Sequence, residues 1–239
     1  MGWLADAIAW FVDPGNWRGS AGVPTLVVEH LGLTAASLGI ACLVALPLAI
    51  WLGHTGRGGV LAIQVSNVGR AVPTLALLVI LVLADAPFGR STTSALVAFT
   101  LFAIPPIVTN TYVGMRDVDR GAVDAARGMG MTGREVLTKV ELPLATPLLM
   151  TGVRLAAVQL FATVSIAAIA AFGGLGRIVT RGFATRDVGE VVAGALIIAG
   201  LALVIEVLFE WLGGRVDPRE RAVRRSARRT RSAEVAATP

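Results

Sequence analysis

Residues Asp124–Pro143 read Asp-Ala-Ala-Arg-Gly-Met-Gly-Met-Thr-Gly-Arg-Glu-Val-Leu-Thr-Lys-Val-Glu-Leu-Pro and form a polar stretch between two long apolar runs. The stretch predicts two short helices joined by a glycine hinge, because Gly128 and Gly130 permit a sharp change of chain direction. Asp117 and Asp119 come just before it, and acidic residues there favour the start of the first helix. The sequence thus predicts a folded polar unit between its apolar segments.

The second short helix has its own start and stop signals. Thr132 and Glu135 have the spacing of a capping box, in which each side chain accepts a bond from the backbone of the other residue. Leu142-Pro143 predicts the end of that helix, since proline disfavours the helical conformation of the residue before it. A loop that only links two apolar helices needs none of these signals. The alternative is an amphipathic loop at a membrane interface.

The composition is that of a membrane protein. Hydrophobic residues make up 55% of the 239 residues, charged residues 15%, and the mean hydropathy is +0.73. The net charge of +5 does not indicate nucleic-acid binding, because eight arginines are concentrated in the last 25 residues. A single cysteine, Cys42, excludes an intramolecular disulfide and a cysteine metal cluster. His30 and His54 lack the spacing of a zinc motif, so no metal site and no catalytic residue are predicted.

Five apolar segments are long enough to cross a membrane: Leu31–Leu52, Val60–Ala84, Thr93–Met115, Leu144–Phe172 and Val191–Leu212. At 1.5 Å per residue, about 22 helical residues cover roughly 33 Å, enough for the hydrocarbon core. The sequence therefore predicts an all-α, polytopic membrane protein with about five transmembrane helices. In the second segment Asn67 and Arg70 interrupt the apolar run, and Pro73 is expected to kink the helix.

The chain divides into an N-terminal segment, residues 1–25, a transmembrane part, residues 26–212, and a basic tail, residues 213–239. Within the first segment, apolar residues fall on one helical face: Trp3, Leu4, Ala7, Ile8 and Phe11. This pattern predicts a short helix at the membrane surface over residues 2–12. A disordered tail that carries tryptophans is the alternative. The segment lacks the basic start of a cleavable signal peptide.

The distribution of basic residues predicts the orientation in the membrane. Arg57, the basic residues around Asp124 and the arginines of the tail lie on one side and outnumber those on the other. The 116–143 loop and the C-terminus are therefore predicted to be cytoplasmic and the N-terminus outside. The tail is predicted to be disordered and to rest on anionic lipid. A regulatory contact with a partner subunit is its alternative role.

The Asp124–Pro143 stretch resembles the EAA loop of ABC-type importer permeases, which has an acidic residue and two alanines, a glycine, and a hydrophobic-x-Leu-Pro ending. The matching residues are Asp124, Ala125, Ala126, Gly130, Val140, Leu142 and Pro143, with Asp in place of Glu and Val in place of Ile. The resemblance implies the type I ABC importer permease fold in a bacterial inner membrane. It also implies that the loop, including Gly128, Thr132 and Glu135, docks into a groove of a separate ATPase subunit. That subunit would use ATP and Mg, and this chain would bind no cofactor.

Three further stretches resemble the osmoprotectant branch of these permeases: Arg70–Leu78, Pro106–Gly114 and Gly173–Gly176. That branch transports glycine betaine, carnitine, choline or proline betaine, and the resemblance covers about residues 26–212. It implies three kinds of partner besides the lipid: the ATPase, an extracytoplasmic substrate-binding protein, and a second permease subunit, identical or related. A permease for an amino acid, methionine or another small solute is one alternative. A membrane scaffold without transport is another.

The sequence also bears on the energy source. Its spans lack the deep carboxylates of a proton relay. The only lysine, Lys139, follows Thr138 instead of the glycine of a P-loop. The energy for transport is therefore expected to come from another chain.

Two groups of residues are candidates for the route of the solute. Pro73, Thr74, Asn110, Thr111 and Tyr112 are candidates for the translocation path, and an ordinary kink or helix packing is the alternative for each. Gly173, Gly174, Leu175 and Gly176 follow the fourth span on the outer side. They are candidates for an outer gate or a contact with the binding protein, and a plain turn is the alternative.

The aromatic residues indicate where selectivity lies. Quaternary ammonium ions are held by cages of Trp and Tyr. The chain has one tyrosine, and its five tryptophans lie in the N-terminal segment or near the ends of spans. A complete cage within the bundle is not predicted, so selectivity is expected to reside mainly in the separate binding protein.

Overall fold

The computed structural model describes residues 2–84, 88–89, 91–170 and 172–216, and every regular element in these ranges is a helix. The predicted all-α class is confirmed. Residues 217–239, which hold most of the predicted basic tail, lie outside the described residues.

The described elements follow one another along the chain in a fixed order. They are α1 Gly2–Val12, a 3₁₀ turn Pro14–Trp17, α2 Val23–Thr55, α3 Gly59–Ala71, α4 Thr74–Leu83, α5 Thr92–Arg116, α6 Arg120–Gly128, α7 Gly133–Val136, a π turn Leu137–Glu141, α8 Leu142–Val164, a 3₁₀ segment Ser165–Ala170, α9 Gly176–Thr185 and α10 Val188–Val216. The end of the bundle that carries α6 and α7 is called the loop end below, and the opposite end the far end.

Helices α2, α5 and α8 form the centre of the bundle, with α5 between the other two. Small residues lie where they meet. Ala41, Ala45 and Ala49 repeat every four residues along α2 and are fully buried. On α8, a Cβ atom at Gly152 would lie 2.8 Å from the Cβ of Asn110 on α5. Small residues allow helix backbones to approach closely, which is a main source of helix association in membranes.

Four helices are long and apolar enough to cross a membrane: Val23–Thr55, Thr92–Arg116, the continuous helix Gly133–Ala170, and Val188–Arg215. They contain three of the five predicted spans completely and all but the last two residues of a fourth, Leu144–Phe172. The last six residues of the third one, Ser165–Ala170, form a 3₁₀ segment. The helices are longer than the predicted spans because they extend beyond the apolar core at one or both ends.

The predicted second span, Val60–Ala84, is not a single helix. It consists of α3 and α4, with Val72 between them in an extended conformation, φ −74° and ψ 121°. Pro73 causes the break, because proline has no N–H for the helical ladder and moves the residue before it out of the helical region. The expected kink at Pro73 is therefore a complete interruption.

Helices α3 and α4 together still run from the loop end to the far end. A Cβ atom at Gly59 would overlap Tyr112 near the loop end of α5, and a Cβ atom at Gly69 would lie 3.5 Å from Pro105, near the middle of α5. Beyond the break, the Ser94 hydroxyl at the far end of α5 donates to the Leu81 carbonyl at 3.4 Å. The fifth crossing is thus a broken helix, interrupted close to the depth of Pro105.

The second short helix does not end at Leu142-Pro143, contrary to the prediction. Helix α7 continues through the π turn into α8, and the N–H of Leu142 donates to the carbonyl of Leu137, five residues back. This wide turn changes the hydrogen-bond register just before Pro143. Pro143 then occupies the first turn of α8, where its missing N–H costs least.

Helix α1 lies at the far end and packs against the beginning of α10. A Cβ atom at Gly189 of α10 would lie 2.7 Å from the Cβ of Asp6. Ala7 and Trp10 are buried in this contact region. Other members of the predicted apolar face stay exposed: Trp3, Leu4 and Ile8. Helix α1 therefore packs on the protein through Ala7 and Trp10 and leaves much of its apolar face exposed.

The close approach of α5 and α8 leads to a stability prediction. Gly152→Ala should lower the melting temperature of the purified protein in detergent, because the new Cβ would press on Asn110 and on the Pro106 carbonyl oxygen, 3.0 Å away. Gly200→Ala is the matched control, since nothing lies within 4 Å of its Cβ position on α10. It should not lower stability, because alanine is favoured over glycine in a helix by about 1 kcal/mol. Equal melting temperatures for the two variants would contradict this account.

Candidate functional site

Helix α6 turns one face toward the protein and the other toward solvent. The Asp119 carboxylate accepts a bond from the Gly121 N–H at 2.9 Å and caps the helix. Val123 and Ala126, three residues apart, are buried at 1% and 2% exposure. Asp124 and Ala125 are exposed. The alanine pair of the predicted docking loop is thus divided, and only Ala125 is available to a partner.

The turn after α6 requires a glycine at one position. Gly130 has φ +85°, a left-handed conformation that side chains with a Cβ rarely adopt. Its N–H donates to the Arg127 carbonyl at 2.9 Å, which closes the end of α6. Met129, at the tip of the turn, is 72% exposed. Gly128 lies in the last turn of α6 with open space at its Cβ position, so the direction of the chain depends on Gly130 alone.

The predicted capping box is present at the start of α7. The Thr132 N–H donates to Glu135 Oε2 at 3.0 Å, and the Glu135 N–H donates to Thr132 Oγ1 at 3.4 Å. Glu135 also accepts a bond from Lys139 Nζ at 2.8 Å. Exposed ion pairs of this kind contribute little by themselves. The box therefore fixes the start of the helix, and the Lys139 pair adds a second partner for the same carboxylate.

An apolar core beneath the loop joins it to the ends of α5 and α8. Its buried members are Met115, Val118, Val123, Ala126, Val136 and Ala145. Val140 and Leu142, from the hydrophobic-x-Leu-Pro ending of the loop, pack against this core and are partly buried. The loop is therefore a packed unit that must move together with the helices beneath it.

A polar contact joins the same unit to α2. Glu141, in the π turn, is 2% exposed, and its carboxylate contacts Nδ1 of His54 near the end of α2. Sequence reasoning gave neither residue a role in coupling. The signal that could have found Glu141 was a glutamate within the otherwise apolar run Val140–Leu144. Its partner is 87 residues away in sequence and could not be identified from local pattern.

The path candidates on α5 do not form one cluster. The Asn110 amide donates to the Pro106 carbonyl at 2.8 Å, and its Cβ lies against α8 at Gly152. Thr111 is fully buried. Tyr112 lies against Gly59, at the start of α3. The three side chains thus occupy packing positions between α5 and different neighbours.

Pro73 and Thr74 lie at the break of the second crossing. Thr74 lines a cavity of about 310 Å³ between the broken helix and α5, together with Ser66, Gly69 and Pro105. Pro73 is exposed. The candidates at the break are therefore separated from those at Tyr112 by the length of α3.

The glycine-rich turn Gly173–Gly176 is tightly packed at the far end. The Gly174 N–H donates to the Glu29 carboxylate of α2 at 2.9 Å, and a Cβ atom at Gly173 would overlap that carboxylate. Gly174 has φ +93°. Leu175 and Gly176 are buried. Close packing explains the glycines at this turn, and the exposed surface nearby belongs to α9.

The arrangement at the loop end is suited to a mechanical role. Within the described ranges, no group of three or more His, Cys, Asp or Glu residues lies together in a way that could hold a metal ion. What the site offers instead is an exposed edge, formed by Asp124, Ala125 and Met129, on a base that contacts α2, α5 and α8. The exposed edge and the central helices are therefore joined by direct contacts.

The buried contact at Glu141 leads to a second stability prediction. Glu141→Ala should lower the unfolding free energy by about 1–3 kcal/mol, because it removes the buried carboxylate that contacts the partly exposed His54 side chain. Glu135→Ala is the control: its carboxylate also contacts a basic residue, but both side chains are largely exposed. The measurement is the melting temperature of each purified variant in detergent. A smaller loss for Glu141→Ala than for Glu135→Ala would show that the His54 contact does not stabilise the loop.

The sequence is similar to several permease proteins. A family model described as "binding-protein-dependent transport system inner membrane component" matches residues 45–222. The carnitine transport permease protein OpuCD of Listeria monocytogenes is 33% identical over 191 residues, which cover 80% of this chain and 84% of the relative. The osmoprotectant import permease protein OsmY of Salmonella typhimurium is 35% identical over 192 residues, or 80% of each chain. The choline transport system permease protein OpuBD of Bacillus subtilis is 31% identical over 191 residues, covering 80% and 83%.

The fold is also similar to that of a solved transporter. An inward-facing crystal form of the MetNI methionine ABC transporter matches with a TM-score of 0.64, over 84% of this chain and 95% of that chain, at 24% identity. At this identity the likeness shows the fold alone. The family match spans most of the chain and includes the whole of the packed loop together with α5 and α8. The chain therefore belongs to the family of inner membrane components of binding-protein-dependent transport systems, the permeases of ABC importers.

Proposed function

We propose that this chain forms the translocation path of an ATP-driven importer for quaternary ammonium solutes: glycine betaine, carnitine, choline or proline betaine. The support for this solute class comes from relatives at 31–35% identity whose names specify carnitine, choline or osmoprotectant transport. The chain is the transport subunit and is not itself catalytic. ATP and Mg are used by the ATPase of the complex.

The exposed edge of α6 is the main support for the proposed coupling of this chain to the ATPase. Asp124 and Ala125 face solvent, while Val123 and Ala126 hold the helix to the protein. A small residue at the edge lets the helix approach the floor of a groove closely. An acidic residue beside it offers a charge-assisted bond to a basic residue of the ATPase. We assign docking to this edge.

The contacts beneath the edge suggest how motion is transmitted. ATP binding closes two ATPase subunits, and the closure displaces the Asp124–Pro143 loop. The apolar core passes the displacement to α5 and α8, and the Glu141–His54 contact passes it to α2. The central helices then open the path outward, the loaded binding protein delivers its solute, and hydrolysis restores the inward-facing state.

The two ends of the bundle have different partners in this proposal. The loop end is cytoplasmic, and the N-terminal helix at the far end lies outside, at the membrane surface. The Gly173–Gly176 turn, which Glu29 ties to α2, forms part of the outer gate or of the contact with the binding protein. A second permease subunit, identical or related, completes the path. Arg215 and the arginines after it rest on anionic lipid on the cytoplasmic side.

Tight recognition of the quaternary ammonium group is assigned to the binding protein. The single tyrosine, Tyr112, packs against α3, and most tryptophans of the chain lie in or beside α1. The described part of the bundle therefore offers no cage of Trp and Tyr side chains. Binding of free solute to the path should be weak, with a millimolar Kd, or about −4 kcal/mol.

Docking can be tested at the divided alanine pair. Ala125→Arg should leave the permease folded in the membrane but abolish co-purification of the ATPase and solute uptake, because the large side chain blocks entry into a groove. Ala184→Arg is the matched control, an exposed alanine on α9 at the far end, and should retain the ATPase. Ala126→Arg should instead lower the stability of the permease itself, since Ala126 is buried. Normal ATPase binding and uptake with Ala125→Arg would overturn the assignment.

The transport activity can be tested with the complete complex in proteoliposomes. With the loaded binding protein outside and ATP inside, the vesicles should accumulate radiolabelled glycine betaine in the presence of an ionophore. The reason is that the described spans hold no proton relay and the energy comes from the ATPase. Omission of ATP or of the binding protein should abolish uptake. Loss of uptake on addition of the ionophore at constant ATP would contradict the proposal, and accumulation of amino acids but not of betaine would identify a different solute.

A further inference from the structure

Two arginines, Arg70 and Arg154, lie within the apolar spans predicted from the sequence, and their surroundings differ. Arg154 of α8 lies 3.5 Å from the Glu206 carboxylate of α10, so its charge is paired within the chain. Arg70 of α3 is exposed and forms no ion pair with any residue that the structure describes. The partner of Arg70 must therefore come from outside this part of the chain.

Arg70 lies deep in the membrane. Its neighbour Gly69 packs against Pro105, near the middle of α5. At 1.5 Å per residue, this point is about 16 Å from the loop end of α5. An unpaired guanidinium at that depth is costly in contact with lipid, and such residues in membrane proteins face a protein interior or a water-filled cavity.

The backbone next to Arg70 leads independently to the same conclusion. The helix is interrupted at Val72 and Pro73, just after Arg70. Irregular backbone at membrane depth is tolerated only where protein buries it or where it lines a water-filled cavity. Here Val72 is 47% exposed, so this chain alone does not bury the break.

Polar residues continue from Arg70 along α3. Gln64, Asn67 and Arg70 follow one another at intervals of three residues, and all are exposed. Residues three apart are neighbours on a helix surface. They form a polar ridge that runs from the loop end toward the break, in a segment that is otherwise apolar. A ridge of this kind is suited to the wall of an aqueous path.

The acidic residues of the bundle helices leave no partner for Arg70 in a second copy of this chain. Glu206 is paired with Arg154, Glu29 accepts the Gly174 N–H at the far end, and Glu141 contacts His54 at the loop end. Glu210 lines the same groove as Arg154. Among the described residues, none of these carboxylates is both unengaged and at the depth of Pro105. The described carboxylates therefore leave Arg70 available to a negatively charged group of the solute.

We propose that Arg70 binds the carboxylate of the solute during its passage, so that this permease favours carboxylate-bearing zwitterions of the betaine and carnitine type over choline. The inference rests on the proposed transport function and narrows its solute class. A guanidinium binds a carboxylate through two charge-assisted hydrogen bonds. A cavity of about 310 Å³ lies beside Gly69, the neighbour of Arg70, although Arg70 itself does not line it. Its walls are largely apolar and include Phe102, so they suit the methyl groups of a quaternary ammonium group.

A cysteine placed one turn from Arg70 provides the test. Asn67→Cys is made in a Cys42→Ala background, which removes the only native cysteine of the chain. The complete complex is reconstituted without nucleotide, and the labelling rate with a sulfonate-bearing methanethiosulfonate reagent is measured. Leu43→Cys is the control for a lipid-facing position, since Leu43 is 77% exposed on α2. The Asn67→Cys variant should react and the Leu43→Cys variant should not.

Added solutes then test what Arg70 recognises. Glycine betaine at about ten times a millimolar Kd should slow labelling of the Asn67→Cys variant roughly tenfold. Choline at the same concentration should have little effect. When Arg70→Gln is combined with Asn67→Cys, betaine should no longer protect the cysteine. Arg70→Lys in the same background should keep part of the protection, because the positive charge remains.

The contrary outcomes are distinct. Failure of the Asn67→Cys variant to react would show that lipid or the second subunit covers the ridge, and would overturn the inference. Equal protection by betaine and choline, or protection that survives Arg70→Gln, would overturn the carboxylate role while leaving quaternary ammonium transport intact. Protection by glycine or methionine but not by betaine would overturn the proposed solute class and support the role of Arg70 as a carboxylate-binding residue.

Discussion

Close packing around α5 is the constraint on which the other elements depend. At three positions along its contacts, Gly53, Gly114 and Gly152, an added Cβ atom would press on a neighbouring helix. Lipid tails are as apolar as the side chains that they surround, so burial of apolar surface gives helices little reason to associate. The association of the helices must therefore come from short-range van der Waals attraction. Small residues allow the helices to approach closely enough for this attraction to act. The positions of α2 and α8 follow from these contacts.

The loop at the end of α5 takes its rigidity from the same packing. Its apolar core is continuous with the ends of α5 and α8, and the π turn joins α7 to α8 without a flexible connection. The Glu141–His54 contact adds α2 to the unit. Direct contacts thus connect α6 to the three central helices. This connection agrees with the coupling role that we propose for the loop.

Local signals predicted the parts of this structure that local interactions determine. The capping box at Thr132 and the hinge at Gly130 depend on residues within three or four positions, and both are present. The failure at Pro143 has a different cause: packing on both sides of the proline favours a continuous helix, and a π turn accommodates it. The sequence could have predicted that the alanine pair is divided, because Val123 and Ala126 have the spacing of one helical face. The sequence could not have predicted the contact between Glu141 and His54, because these residues are distant in sequence and meet only after the chain has folded.

The contrast between Arg70 and Arg154 connects the fold with selectivity. Arg154 already has a carboxylate partner within the chain, Glu206 on α10, at a partly exposed contact. Arg70, which has no such partner among the described residues, remains able to bind the carboxylate of a passing solute. It recognises that one group of the solute and no other. Such a site is necessarily weak, and weakness is useful in a path from which the solute must leave within each cycle. We have proposed that tight binding belongs to a separate protein. In that case the path needs to distinguish only whether a carboxylate accompanies the positive charge.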